Sequence, residues 1–266
     1  MNYQISVVLP CFNAEKTIIE TLTSINNQTL STFEVIIIND GSEDKTLDLL
    51  EKFQFRDKIN KVIISRPNKG FLYSLSEGIE RSAGDIIARI DSDDIWSQNH
   101  LEMLISKMKY ENLVLVGSNA YIIDSKGNEI GSTDLPTEDR DIRRQLLKDN
   151  MFVHSAVLFN KNAYLKTIGY LCGHDEKSMH IADYNLWVEL SSIGKVGNVK
   201  DLTVKYRYQE TSMSRTVNRV YNYKARLFVQ NKAYRMLGGD YLFYLSCSIK
   251  THIKILQNQF YAYCKF

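Results

Sequence analysis

An α/β fold built on a doubly wound, mainly parallel sheet is predicted by three observations. Short β-rich runs alternate with helical patterns from residue 5 to residue 108. The run Val35 to Ile38 is continuously β-branched, as expected of a parallel strand covered on both faces. Four successive runs each end in polar residues, and β-α-β-α order brings such strand ends to one edge of the sheet. Ligands of open α/β sheets bind beyond that edge.

The elements follow in order. Ile5 to Leu9 reads as the first buried strand, with Pro10-Cys11-Phe12-Asn13 after it. Asn13 is placed to cap a helix whose Ile18, Ile19, Leu22 and Ile25 share one face. Val35 to Ile38 is the second strand and leads into Asn39-Asp40. Ser42 is placed to cap the next helix, with Glu43 and Asp44 in its positive first turn and Leu47, Leu50 and Phe53 on its buried side. Val62 to Ser65 is the third strand, followed by Pro67-Asn68-Lys69 and a helix marked by Leu72, Leu75 and Ile79. Asp85 to Ile90 is the fourth, followed by Asp91-Ser92-Asp93 and a helix carrying Leu101, Leu104, Ile105 and Met108. Beyond residue 110 the alternation loosens. Leu113 to Asn119 and Ala156 to Phe159 read as strands, and Leu186, Trp187, Leu190 and Ile193 define another helix. The expected division is a main domain over 1–216 and a basic, aromatic helical extension over 217–266.

Composition narrows the class. The chain has 266 residues, 44 % apolar and 24 % charged, which suffices for a large core. Cys11, Cys172, Cys247 and Cys264 form no C-x-x-C pair, and reduced thiols of a cytosolic protein are expected. The N-terminus has no signal-peptide pattern, and no run approaches the roughly 20 apolar residues of a membrane span. No G-x-x-x-x-G-K-[ST] exists, which excludes P-loop chemistry, and neither a G-x-S-x-G elbow nor an H-E-x-x-H motif is present. No nucleic-acid partner is expected. The net charge of +2 hides an asymmetry: residues 217–266 hold eight Lys/Arg against one acid, Asp240. Lys224, Arg226, Lys232 and Arg235 are interleaved there with Tyr221, Tyr223, Phe228, Tyr234, Tyr241, Phe243 and Tyr244. Lys250, Lys254, Phe260, Tyr261, Tyr263 and Phe266 repeat the mixture. That pattern is expected to form helices lying on an anionic membrane surface; the alternative is a helical lid packed on the main domain.

Three separated acidic motifs can carry chemistry. Asp91 and Asp93 close a buried strand beside Asp94. Neighbouring carboxylates repel unless a cation sits between them or one is protonated, and Mg²⁺ or Mn²⁺ with a diphosphate supplies that cation. The alternative is that Asp93 or Asp94 caps the following helix. Asp40, after Ile36-Ile37-Ile38, can accept a ring N–H of a nucleobase such as uracil; Asn-Asp-Gly-Ser is also strong turn chemistry. Asp183 opens the helix of Trp187, where the helix dipole would keep it ionised and able to take a proton from a hydroxyl. An ordinary helix cap is the alternative. His154 can line the site or serve as a structural hydrogen bonder, and Arg207 can approach a diphosphate or sit on an edge strand.

Together these segments resemble the family-2 glycosyltransferases with a GT-A fold, from Ile5 to about Ser214. Ser6 to Asn13 resembles the family's opening strand and loop. Asn39-Asp40-Gly41-Ser42 resembles its base-binding D-G-S. Asn68-Lys69-Gly70 with Gly78-Ile79 is similar to its N-x-G…G-I stretch, and Ala88-Arg89-Ile90-Asp91-Ser92-Asp93-Asp94 to A-R-x-D-x-D-D. Phe152 to Phe159 resembles H-S-x-V-x-F, and Asp183-Tyr184-Asn185-Leu186-Trp187 the helix carrying the catalytic base. The resemblance implies an inverting enzyme that moves a sugar from a nucleoside-diphosphate donor, with a UDP-sugar expected, to an acceptor hydroxyl. It implies Pro10, Phe12, Asp40, Asn68, Lys69, Asp91 and Ser92 around the nucleotide, Asp93 with Asp91 on Mn²⁺ or Mg²⁺, and Asp183 as base. The implied acceptor is a lipid-linked saccharide of a bacterial surface polysaccharide, O-antigen or capsule, which would place the protein in the cytoplasm on the inner face of the cell membrane. Ala182, Asn185 and Gln209 depart from the family pattern. The rival readings are a nucleotidyltransferase that makes the nucleotide sugar, which would need a Gly-rich basic loop where Pro10 to Thr17 stands, and a non-catalytic sugar-binding relative.

Overall fold

The computed structural model describes residues 5–170, 181–208 and 218–263. Cys172, Gln209, Cys264, Lys265 and Phe266 lie outside the described residues, as does the expected boundary between 216 and 217. The side chains of Phe260, Tyr261 and Tyr263 lie outside them too.

The alternating first half forms the expected parallel unit. Strands β1 (Ile5–Cys11), β2 (Phe33–Asn39), β3 (Ile59–Ser65) and β4 (Ile86–Arg89) alternate with helices α1 (Ile18–Asn26), α2 (Thr46–Lys52) and α3 (Phe71–Arg81). All three pairings within this unit are parallel, in the order β3-β2-β1-β4. Strand order therefore reverses direction between β1 and β4, which opens a crevice at their carboxyl ends.

The second half completes the sheet with strands of mixed direction. Its elements are β5 (Ile95–Trp96), α4 (His100–Glu111), β6 (Leu115–Ile123), β7 (Glu129–Ser132), α5 (Asp139–Leu146), a 3₁₀ turn at His154–Ala156, β8 (Val157–Asn160), α6 (Lys161–Tyr164), α7 (Ala182–Ile193) and β9 (Val196–Arg207). Among the described residues the order runs on from β4 as β8-β6-β9-β5, with β7 on the outside of β6. β8 is antiparallel to both β4 and β6, β9 is parallel to β6, and β5 is antiparallel to β9. One long strand, β9, thus ties the segment just after β4 to the far half of the sheet.

Side-chain alternation builds two cores. Val7, Leu9, Val35 and Ile37 face Ile18, Leu22, Leu50, Leu101 and Leu104 from α1, α2 and α4. Val8 and Ile87 point the other way, toward Leu72, Leu75 and Ile79 of α3 and Leu186, Trp187 and Leu190 of α7. Gly78 lets α3 lie directly on β1, because a Cβ there would meet Val8 Cγ1 at 2.5 Å.

The tail forms a helical hairpin, α8 (Arg219–Leu237) and α9 (Tyr241–Tyr263). Val229 and Ala233 of α8 join the core on the α7 side and are fully buried. α7 is consequently buried on nearly every side from Ala182 to Ser191, where the sequence had offered one apolar face.

Two expected caps are absent. α1 starts at Ile18, and Asn13 instead sits at φ 48° with its Oδ1 accepting the Glu43 N–H at 2.9 Å. α2 starts at Thr46, and Ser42 Oγ accepts the Asn13 N–H at 3.1 Å. Both side chains lace the loops after β1 and β2 to one another, which removes them from helix capping. Neither Asp93 nor Asp94 caps α4, whose flanking residue is Asn99.

Candidate active site

The crevice at the strand ends is an open cavity of about 620 Å³. Pro10, Phe12, Asp40, Asn68, Asp91, Ser92, Asp93 and Asp183 all line it, together with Cys11, Thr17, Phe71, His154, Tyr206 and Arg207. Residues more than 170 positions apart in sequence, Phe12 and Asp183 among them, therefore share one space. Phe12 is half exposed, an apolar ring left open to the cavity mouth.

Asp40 is held by its surroundings. Its carboxylate accepts the Lys69 N–H at 2.8 Å and the Gly70 N–H at 2.9 Å, and it pairs with the Arg66 guanidinium. Gly41 makes the turn beneath it at φ +75°, and a Cβ there would meet the Asn68 nitrogen at 2.6 Å. Lys69 does not line the cavity with its side chain. Its Nζ lies 4.6 Å above the Tyr73 ring, and its contribution to the site is the N–H on Asp40.

Asp91 rests on Arg89, which is 1 % exposed at the end of β4. Both oxygens of Asp91 receive the guanidinium, and the Ser155 hydroxyl donates to Oδ2 at 3.1 Å. Sequence reasoning gave Arg89 no role of its own. The signal was present: a charge inside the buried run Ile86-Ile87-Ala88-Arg89-Ile90 requires a nearby anion.

The loop of Asp93 and Asp94 is fastened from two sides. Thr17, just before α1, and Thr21 of α1 donate to the Ser92 and Asp94 carbonyls at 2.9 and 2.8 Å. The Arg207 N–H donates to Asp94 Oδ1 at 2.7 Å, and Arg207 Nε to the Asp93 carbonyl at 2.9 Å. Arg207 is thus buried and clamps the acidic loop, with its remaining nitrogens on Glu20, Asp124 and Ser125. Burial and the charges of Asp93 and Asp91 push the Asp94 carboxyl well above the usual carboxylate range. The Ser155 hydroxyl and the Arg207 N–H pull in the opposite direction.

This donor set fits a hard divalent ion in part. Crowded carboxylates raise one another's pKa, as Asp94 registers, and a cation relieves that repulsion. Both oxygens of Asp91 are already committed to Arg89. Among the described residues no three His, Cys, Asp or Glu side chains converge into a complete coordination shell. Substrate oxygens would have to supply most of it.

Asp183 enters from the first turn of α7. The Asn150 amide donates to its Oδ2 at 2.8 Å. The sequence argument placed its pKa low, because of the helix terminus. The structure corrects this: burial dominates and raises it to about 6, while the Tyr184 N–H, Arg89 and Asn150 pull in the opposite direction. His154 lies nearby with Nε2 2.8 Å from the Tyr170 hydroxyl, and burial with the Arg89 charge keeps its ring neutral. Nothing in the sequence singled out Asn150 or Tyr170. An isolated polar residue in a turn has no periodicity to betray it.

A sheet wound in this way, with a reversal between β1 and β4 and acidic loops at that edge, defines the GT-A class of sugar-transferring fold. Within that class the chain belongs to glycosyl transferase family 2, whose profile matches residues 6–168. An uncharacterized glycosyltransferase of Haemophilus influenzae is 30 % identical over 263 residues, 96 % of this chain and 78 % of that protein. The Escherichia coli UDP-Glc:alpha-D-GlcNAc-diphosphoundecaprenol beta-1,3-glucosyltransferase WfgD is 27 % identical over 80 % of each chain. In structure, the mannosyltransferase PcManGT of Pyrobaculum calidifontis, solved with GDP-Man and Mn²⁺, superposes with a TM-score of 0.70. At 13 % identity, that match covers 97 % of this chain and 74 % of that one.

Proposed function

We propose that this glycosyltransferase is an inverting, metal-dependent enzyme that moves a sugar from a UDP-sugar to an acceptor hydroxyl. The observation that carries the reading is the convergence on one cavity of Asp40, of Asp91 and Asp93, and of Asp183. Pro10, Phe12 and Asn68 form the wall around the base, and Asp40 sets the loop of Asn68 and Lys69 through two backbone N–H groups. Asp91, fixed by Arg89, faces the ribose and diphosphate region together with Ser92. Asp93 would hold Mn²⁺ or Mg²⁺, which when bound stabilises charge on a leaving diphosphate. Asp183, ionised above about pH 6, takes the proton of the incoming hydroxyl. One base without a paired carboxylate nucleophile makes the displacement direct and the anomeric configuration inverted.

The name of the Escherichia coli relative pairs a UDP-sugar with a diphosphoundecaprenol-linked acceptor. The same chemistry suits this chain: a lipid-linked saccharide in bacterial surface polysaccharide synthesis, met on the cytoplasmic face of the membrane. No described helix is long and apolar enough to cross a membrane. The surface reading is supported by α9, where Leu242, Leu245, Ile249, Ile253 and Leu256 are exposed opposite the buried Cys247, Thr251 and Ile255. Lys250 and Lys254 of the same helix are also exposed, with the Lys254 ammonium 5.6 Å over the Tyr223 ring of α8.

Incubation with a panel of UDP-sugars and Mn²⁺ tests the reading by UDP release. The anomeric coupling constant of the product, read by NMR, decides the stereochemistry. Inversion is expected, and retention overturns the mechanism.

A further inference from the structure

The turn after α5 supplies Asn150, whose amide holds Asp183 at 2.8 Å. Two residues of α8 hold that turn. Arg226 donates to Asp149 Oδ2 at 2.9 Å, and Gln230 Nε2 donates to the Lys148 carbonyl at 2.7 Å. Asp149 Oδ1 in turn accepts the Asn150 N–H at 2.9 Å, and Asn150 Oδ1 accepts the Phe152 N–H at 3.1 Å. Gln230 is 1 % exposed and takes a further hydrogen bond from Thr251 of α9 at 3.1 Å. On its other side α8 grips the helix that carries Asp183: Lys232 donates to Asn185 at 2.8 Å and pairs with Glu189.

The geometry points to α8 as a positioning element for Asp183, with Arg226 and Gln230 holding the 148–150 turn so that Asn150 keeps the carboxylate in place. The inference takes its catalytic meaning from the reading of Asp183 as base, but its geometry stands apart from that reading. An amide that donates to a carboxylate fixes its orientation and favours its ionised form. A turn held at one end by an ion pair and at its carbonyl by a buried amide has little freedom to withdraw that donor. Asn150, Arg226 and Gln230 are thereby positioning residues.

Other groups act on the same carboxylate and must be kept in view. Arg89 on β4 and the Tyr184 N–H favour its charge, Tyr170 senses that charge, and His154 is a neutral neighbour. The substitutions below alter none of them.

Aspartate-selective ¹³C labelling of the full chain, with Asp183→Asn to assign the resonance, reads the titration of Asp183 without any turnover. In the parent it is expected near 6. Asn150→Ala should raise it by about one unit, the worth of one hydrogen bond to a charged group. Arg226→Met, at a half-exposed position, should move it the same way by less, and Arg226→Lys should restore most of the parent value. Combining Arg226→Met with Asn150→Ala should add nothing to Asn150→Ala alone, because both act through one donor. An unmoved titration in Asn150→Ala overturns the contact. A shift in Asn150→Ala with none in Arg226→Met overturns the role of α8. If the shifts occur and Asp183→Asn still releases UDP at the parent rate, the positioning stands and the assignment of the base fails.

Discussion

On the proposed mechanism Asp183 must be ionised at the working pH, yet burial lifts it to about 6. The folded protein holds that proton more tightly than the unfolded chain does. The cost of ionising Asp183 therefore falls on the folded state, and it is complete once pH has risen through about 6. Two outcomes follow. On the proposed mechanism kcat/KM should rise with pH through about 6 and level off above it, and a flat profile from pH 5 to 8 would remove Asp183 from the rate. Asp183→Asn should lose roughly 10²–10⁴ of transfer rate while UDP affinity is kept and melting temperature at pH 7.5 does not fall. Asp93 belongs to the same scale. Asp93→Ala should abolish the difference in UDP affinity with and without Mn²⁺, measured by calorimetry; a difference equal to the parent's would place the ion elsewhere. Asp40→Ala should weaken UDP binding, since the loop of Lys69 and Gly70 loses its anchor and Arg66 one of its two carboxylate partners.

Among the elements, α8 is joined to α7 by a buried charge pair. Glu189 is 4 % exposed and also accepts the Ile168 N–H at 2.8 Å. Lys232→Met would leave that carboxylate unpaired, so a loss of about 2–3 kcal/mol in urea unfolding is expected. An unchanged midpoint would show that the pair contributes little. The elements also show what the sequence could and could not reveal. Val35 to Ile38 and Asp85 to Ile90 were legible because buried parallel strands need unbroken apolar runs, and their polar ends marked Asp40 and Asp91. The helix of Asp183 was legible as a helix, but its burial was not. Its second covering layer comes from Val229 and Ala233, about 40 residues further on, beyond the reach of local periodicity. Asn13 and Ser42 misled because a short polar side chain serves a neighbouring loop as readily as its own helix. Arg207 read equally as a diphosphate contact or an edge-strand residue, and its clamp on the acidic loop was missed for a related reason. β9 ends against the acidic loop, and only the pairing of β9 with β5 and β6 reveals that.

Taken whole, the molecule sets its proposed catalytic face at one edge of the sheet and an apolar row on the outer helix. On the proposed membrane reading, the full chain should sediment with phosphatidylglycerol vesicles at low salt and release at high salt. Leu245→Glu with Ile249→Glu on the exposed side of α9 should abolish sedimentation and leave the melting temperature within a few degrees. These substitutions are preferable to removing 217–266, because α8 contributes Val229 and Ala233 to the core. Parent protein that ignores anionic vesicles would end the membrane reading and leave the hairpin as a packed layer. The clamp by Arg207 has a consequence in time. β1 to β4 are complete by residue 89, but the carbonyl of Asp93 meets Arg207 across 114 positions. At about 5–20 residues per second of synthesis, on the order of 10 s separates the two on the ribosome. Until β9 emerges, the acidic loop hangs from a finished half-sheet with its far anchor still unmade. A nascent chain should therefore acquire its parallel strands early and its grip on a nucleoside diphosphate only late in translation.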